Sequence, residues 1–287
     1  MYWSRVKTIL IILFLCINIF LLVSMMVSVN RTITISSETV EDTVQVLKKN
    51  NIEIEKNIIP TKMHNLPSLE MINPEQDPKA LATKILGEGF KQQGDKYTLD
   101  KKTLAIRGCE FSYSDEAPSQ IINDLDEVTA ENYAKKELEK FGVHLKYAVT
   151  AKVQRQGDEK YSVTFYQEFS GREIFENYIT VILTPQGLIS MEGYWLIPKK
   201  FTTEKLPIRH VTGILIDFLR NDERPKDRKL TVTDISLGYH RVDPKNSYIK
   251  ETTAIPAWRI TTDDGQVYYY EATTGNYIKN SSLKSSS

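Results

Sequence analysis

The side chains suited to chemistry are few and scattered. The 287 residues include four histidines, His64, His144, His210 and His240, and two cysteines, Cys16 and Cys109. No histidine stands at metal-ligand spacing from another, and there is no H-E-x-x-H, no G-x-S-x-G and no Walker glycine loop. Zinc hydrolysis, serine hydrolysis and nucleotide phosphate binding therefore have no motif here, and neither catalytic residues, a cofactor nor a metal is expected. Asp264-Gly265 with Glu271 matches the second half of a calcium loop, but Ile260 and Thr262 stand where its first oxygen ligands belong. That stretch reads better as a β-hairpin. Cys109 has no Lys, His or second Cys near it in sequence, only Arg107, and is expected as a buried small apolar residue rather than a reactive thiol. Tyr268, Tyr269 and Tyr270 with Tyr194, Trp195 and Trp258 can line a sugar or peptide groove. Aromatics are also ordinary strand formers, and a run of three must put at least one on the outer face. Lys135, Lys136, Glu137 and Glu139 read as a solvated helix face.

What positions these residues begins with a membrane segment. Residues 9–29 carry no charge and are almost wholly Ile, Leu, Val, Phe and Met, enough for a helix across about 30 Å of hydrocarbon. A signal-peptide apolar region is shorter, and no small-x-small cleavage pattern follows. Arg5 and Lys7 precede the segment, whereas Glu38, Glu41 and Asp42 follow it, so residues 1–8 are expected in the cytoplasm and nearly everything after residue 30 outside. Asn18 lies near the middle of this helix. An amide in hydrocarbon needs a partner, so Asn18, with Ser24 and Ser28, can mark a face that packs on another transmembrane helix; a single helix also tolerates one amide without purpose. Outside the membrane Cys109 is the one cysteine, so no internal disulfide is expected and the ectodomain must hold together by its core. With 37 basic against 37 acidic side chains, sequence-independent nucleic-acid binding is a poor reading.

The fold class expected of the ectodomain is α+β. Ser36 and Ser37 open a helix through Val40, Val44 and Leu47; a strand through Ile52, Ile54 and Ile58 follows, and four prolines from Pro60 to Pro78 break regular structure. Asp77-Pro78 starts a second short helix ending at Gly87 or Gly89, before strands near Tyr97, Ile106 and Phe111. Residues 30–116 are expected as a membrane-proximal domain and 117–127 as a linker. In residues 128–280, Thr129 can cap a helix through Leu138 that stops at Gly142, and four strands run as a meander to Trp195. Val211, Ile214, Leu215, Phe218 and Leu219 then mark a regular amphipathic helix, followed by strands at Ile235, Trp258, Val267 and Tyr277. The distal domain thus reads as two helix-plus-meander units, 128–196 and 205–279, each sheet covered by its own helix, with a disordered tail at 281–287.

Met1-Tyr2-Trp3-Ser4-Arg5-Val6-Lys7-Thr8-Ile9, running directly into the apolar segment, resembles the opening of the YycI family. Trp3, Ser4, Arg5, Lys7, Asn18 and Phe20-Leu21 agree with it, while Tyr2 stands where the family has an acidic residue. Pro256-Ala257-Trp258-Arg259-Ile260, Asp264-Gly265 and the stretch from Tyr268 to Gly275 resemble the closing hairpins of YycI, its sister YycH and, more loosely, PepSY-type domains. The resemblance implies a membrane-anchored, non-catalytic regulator of the WalK/WalR (YycG/YycF) two-component system of low-GC Gram-positive bacteria, touching a YycH-like protein and the sensor kinase through its transmembrane helix and ectodomain. Two other readings stay open: an extracytoplasmic binding module for a cell-wall fragment or peptide, and a PepSY-like inhibitor or chaperone.

Overall fold

The computed structural model describes residues 2–29, 32–73, 77–143, 145, 148–157, 159–242 and 250–279. Among them the chain forms α1 (Tyr2–Val29), β1 (Thr32–Thr34), α2 (Ser37–Lys49), β2 (Ile52–Ile54), a 3-10 turn (Lys56–Ile58), β3 (Lys62–His64), β4 (Leu66–Ile72), α3 (Pro78–Leu86), β5 (Lys91–Gln93), β6 (Lys96–Leu99), β7 (Lys102–Arg107) and β8 (Glu110–Asp115). There follow α4 (Glu127–Lys140), β9 (Ala148–Gln156), β10 (Lys160–Phe169), β11 (Arg172–Thr184), β12 (Gly187–Tyr194), β13 (Ile197–Leu206), α5 (Val211–Arg220), β14 (Leu230–Arg241), β15 (Glu251–Thr262), β16 (Val267–Glu271) and β17 (Tyr277–Ile278). The fold is mixed α+β, mostly strand.

α2, α3 and α4 each start where the sequence provides a side-chain cap. The Ser36 hydroxyl accepts from the Thr39 N–H at 3.2 Å, and Asp77 accepts from the Lys79 N–H at 2.9 Å with Pro78 at the first helical position, satisfying N–H groups that have no partner inside the helix. Asp126, not Thr129, caps α4: its carboxylate accepts from the Thr129 N–H at 2.7 Å. The helix therefore starts earlier than Thr129. α1 is different, because the side chains described along it, Val6 to Leu22 and Trp3, are all exposed. Among the described residues no helix is long and apolar enough to cross a membrane.

Fifteen strands form one hydrogen-bonded network in two parts. In the first, β5-β6-β7-β8-β12-β11-β10-β9 lie side by side and antiparallel. α4 covers one face, where Ala130, Ala134 and Leu138 meet Val163, Phe165, Ile179 and Val181 in one core. In the second part β15 is central, with β14 along one edge and β4 and β16 sharing the other. There Val211, Ile214, Leu215 and Phe218 of α5 and Leu47 of α2 pack on Leu230, Trp258, Ile260 and Tyr270. Both expected meanders, β9 to β12 and β14 to β17, are present in the pairing, but the second sheet is covered by α2 as well as α5.

The pairing departs most from expectation in residues 30–127. The proline-rich stretch holds a seven-residue strand, β4, paired with β13 on one side and with β15 on the other. Pro67 sits near its start, and the β15 ladder engages only Leu69 to Ile72, so the missing N–H costs no bond there. β2 runs parallel to β14. β2 and β4 thus complete the second sheet, β1 and β3 pair with each other beside it, and α3 and β5 to β8 extend the first, so the described residues of 30–116 form no core of their own. Residues 117–127 are mostly exposed and pinned at one point, where Ile122 is buried and its N–H donates to the Pro185 carbonyl at 2.8 Å. The tail at 281–287 lies outside the described residues.

Candidate functional site: a charged corner between the sheets

β11 belongs to both sheets. Its C-terminal half pairs with β10 and β12, while Ile174 and Phe175 run parallel to Tyr239 and His240 of β14. Between the halves Glu176 takes a left-handed backbone, φ 59°, a conformation that costs a non-glycine residue on the order of 1 kcal/mol or more and must be held by its surroundings. Glu173 and Glu176, three apart, would face opposite ways on a regular strand. The left-handed residue brings both to one corner, where each acts on the ring of Tyr269.

The corner is charged and half-buried, with His240 wholly enclosed. Glu173 Oε1 accepts from Arg259 Nη1 at 2.5 Å, and the same guanidinium lies 4.8 Å from the Phe175 ring centre. Glu176 Oε2 stands 3.1 Å from His240 Nε2, an ion-pair distance, although neither atom makes a hydrogen bond of good geometry. The other ring nitrogen, Nδ1, is 2.9 Å from the Arg241 carbonyl, and Tyr269 packs edge-on to the imidazole at 4.9 Å. Burial first, then the Glu176 charge, pushes the Tyr269 phenol well above its usual range. Asn177 closes the corner by taking the place of a backbone neighbour: the Leu196 N–H donates to its Oδ1 at 2.9 Å, and its Nδ2 donates to the Leu196 carbonyl at 3.1 Å and to Gln167 Oε1. Carboxylates paired with Arg and His can hold two sheets at a fixed angle. A buried ion pair adds little net stability but specifies geometry.

Sequence reasoning missed this site. Glu173, Glu176, His240, Arg241 and Arg259 lie in three chain segments, and the one local signal was two glutamates inside an apolar strand. Cys109 is buried as expected, but its partner is Arg241, 132 residues away, whose Nη1 donates to Sγ at 3.4 Å. Burial raises the thiol's pKa, against the opposing pull of Arg241. Trp258, Tyr268 and Tyr270 are core residues, whereas Tyr269 faces outward into the corner. Asp264 is a hairpin residue: it accepts from the Thr262 hydroxyl at 2.6 Å and pairs with Arg228, while Glu271 takes the hydroxyls of Thr273 and Thr274. Glu137 corrects the reading of a solvated helix face. It is 6% exposed, accepts from Lys140 Nζ at 2.6 Å, and helps, after burial, to push the neighbouring Tyr133 up to about 12.

The residues expected to meet partners lie along α1. Asn18 is exposed and its Nδ2 donates to the Phe14 carbonyl at 2.8 Å, one turn back. Trp3 is exposed, with Lys7 Nζ 5.5 Å from its ring centre. The backbones of Ser4, Arg5, Ser24 and Ser28 are helical, and their side chains lie outside the described residues. His64 and His210 are exposed, and His144 lies outside the described residues. Among the described residues no three His, Cys, Asp or Glu side chains gather as a metal site.

No curated protein is similar enough in sequence to count as a match. Among solved structures, the chain is similar to an uncharacterized protein from Eubacterium rectale, with a TM-score of 0.53 and 12% identity over 84% of this chain and 98% of that one. It is also similar to the Bacillus megaterium YpeB C-terminal domain, with a TM-score of 0.35 and 11% identity over 73% of this chain and 100% of that one. The first likeness concerns the fold alone. A family model described as YycI protein matches residues 30–273, which spans both sheets, both cores and the corner that joins them; the chain belongs to the YycI family.

Proposed function

We propose that this protein is a membrane-anchored, extracytoplasmic regulator that biases a WalK-type sensor histidine kinase, in company with a YycH-like protein, through contacts of its transmembrane helix and its ectodomain. Family membership over residues 30–273 supports the regulatory role. The observation that carries the anchored form is α1: 28 residues of helix whose described side chains from Ile9 to Leu22, Asn18 apart, are apolar on every side and exposed. A helix apolar all round needs an apolar surrounding, either lipid or another helix. The sequence continues uncharged to residue 29, long enough to span a bilayer, and Arg5 and Lys7 set its N-terminus in the cytoplasm.

The chain works here by binding, not catalysis. A sensor kinase has two signalling states, and a helix packed beside it shifts them only by contacting one better than the other. A few kcal/mol suffices. Asn18 spends an N–H on its own helix, and its carbonyl oxygen is positioned to accept from a neighbour, a contact worth on the order of 1 kcal/mol in the membrane. The test is co-purification from detergent-solubilised membranes of the native chain, of a version whose residues 9–29 are replaced by polyleucine, and of Asn18→Leu. Recovery of the kinase or a YycH-like protein with the native chain and its loss with polyleucine supports the reading. Equal recovery from all three moves the interface to the ectodomain; recovery of no membrane protein overturns the proposal.

A further inference from the structure

His240 is the most enclosed chargeable side chain of the corner, 1% exposed, and both of its ring nitrogens face oxygen. Nδ1 lies 2.9 Å from the Arg241 carbonyl, which can only accept, so Nδ1 carries a proton. Nε2 lies 3.1 Å from Glu176 Oε2, and these two atoms, both closed to solvent, have no hydrogen-bond partner. A neutral imidazole has one N–H, and Nδ1 has used it. Without a second proton, Nε2 turns a lone pair on a carboxylate oxygen and leaves two buried polar atoms unsatisfied. One proton between Nε2 and Oε2 serves both, as imidazolium against carboxylate or as imidazole against carboxylic acid. The two forms differ only in where the proton rests, and the pair titrates as a unit.

The charges around the ring point the same way. β11 brings Glu173, Glu176 and Tyr178 to the corner, β15 brings Arg259, β16 brings Tyr269, and Arg241 follows His240 on β14. Arg259 is engaged with Glu173 at 2.5 Å and lies 3.9 Å from Asp234. Arg241 turns its guanidinium to Cys109 and to the Tyr194 ring. Burial holds the phenols of Tyr178 and Tyr269 above their usual range, so both stay neutral. Among the described residues this leaves His240 as the partner of Glu176. The pair also sits where the two sheets meet. His240 registers with Phe175, the residue before Glu176, in a parallel ladder of two rungs. Two rungs are a short joint, and the left-handed backbone of Glu176 costs energy rather than supplying it, so side chains must hold the rest.

We infer that Glu176 and His240 form a proton-binding site that clasps the two sheets: the shared proton keeps the joint closed, and its release to solvent, with no other bond changed, sets a lone pair against a carboxylate and loosens the joint. The closed pair binds one proton more than the parted one. Opening is therefore favoured as pH rises above about 6.5, where a solvated histidine gives up its proton, by about tenfold per pH unit while that proton is released. The site is separate from α1 and stands whether or not a kinase is the partner. It makes the stiffness between the sheets answer to acidity outside the membrane.

The experiment follows Cys109, buried in the core between the sheets, in the full chain purified in detergent micelles and carrying Cys16→Ser. Its reaction with 4,4′-dithiodipyridine is measured between about pH 5.5 and 8.5, and each rate is divided by that of the chain unfolded in denaturant at the same pH, which cancels the thiol's own ionisation. In the native chain the ratio should rise by about tenfold per pH unit above about 6.5. Glu176→Gln, whose amide donates to Nε2 without a titratable proton, should hold the ratio low and flat. His240→Gln removes the same proton from the other side and should also give a flat profile, while the exposed His210→Gln should behave as the native chain does. Three results overturn the inference: a native ratio that does not change with pH, a rise that survives in Glu176→Gln or, where that variant does not fold, in His240→Gln, or a rise abolished by His210→Gln.

Discussion

Asn177 does by side chain what a strand would do by backbone. It is 3% exposed and serves both polar groups of Leu196, so Asn177→Leu leaves a buried N–H and a buried carbonyl without partners. A loss of about 2–4 kcal/mol is expected in denaturant unfolding. Gly193 faces a different limit, because a Cβ there would lie 2.1 Å from the Tyr178 carbonyl oxygen and 2.7 Å from the Ile179 Cα on the paired strand. Gly193→Ala must part β11 from β12 and should cost about 3 kcal/mol. The tyrosines set the alkaline limit of the fold. Burial pushes Tyr133, Tyr194 and Tyr239 up to about 12, with Glu137 adding to it at Tyr133 and Glu110 at Tyr194. Their folded pKa values lie above the unfolded value near 10, so the folded state binds more protons between those limits. Their contribution is whole below pH 10 and is lost as pH rises toward 12. In a spectrophotometric titration, tyrosinate should therefore form late and together with unfolding. Early titration of all phenols near pH 10 would contradict that burial. At this scale the sequence told much about apolar residues and little about polar ones: that at least one of the three tyrosines faces outward was legible, though not which, and the burial of Glu137 beside Tyr133 and Lys140 was not.

Elements with a strong period of their own were the legible ones. The spacing of Val211, Ile214, Leu215, Phe218 and Leu219 gave α5 because all but the last are buried in one core and Leu219 packs at its margin. α2 begins at its serine cap, and Ser36→Ala should lower stability by about 1 kcal/mol through the Thr39 N–H it leaves unpaired, measurable by thermal unfolding of the chain. β4 was hidden by its prolines, because a strand bounded by Pro60 and containing Pro67 reads locally as broken. Its partners are what make it a strand, and they lie more than a hundred residues on. β13 was missed for the same reason, being polar, outward and specified by β4. The left-handed turn at Glu176 carries no local mark either, since non-glycine residues adopt it only when the pairing on both sides demands it.

The whole molecule has two helix-covered cores joined by a smaller third, in which Leu69, Met71, Cys109, Ile174, Leu196 and Tyr239 meet. Its position makes Cys109 a reporter of the joint. In a Cys16→Ser background, alkylation of Cys109 should be slow under native conditions and reach its full rate at the denaturant concentration where the fold is lost. Reaction well before that point would mean that the sheets part while each remains folded. The helix-plus-meander order of each half was legible, because α4 and α5 and the strands after them are contiguous in the chain. The division of residues 32–115 between the halves was not, since it is written in pairings of high sequence separation.

That division also sets an order in time. A chain leaves the ribosome N-terminus first, yet β2 and β4, among the earliest strands to emerge, pair with β14 and β15, among the last. The first sheet, whose strands from β5 to β12 are consecutive apart from α4, can close while synthesis continues. The segment nearest the N-terminal helix must meanwhile stay open, its Leu69 and Met71 unburied, until the final hairpins arrive to receive it.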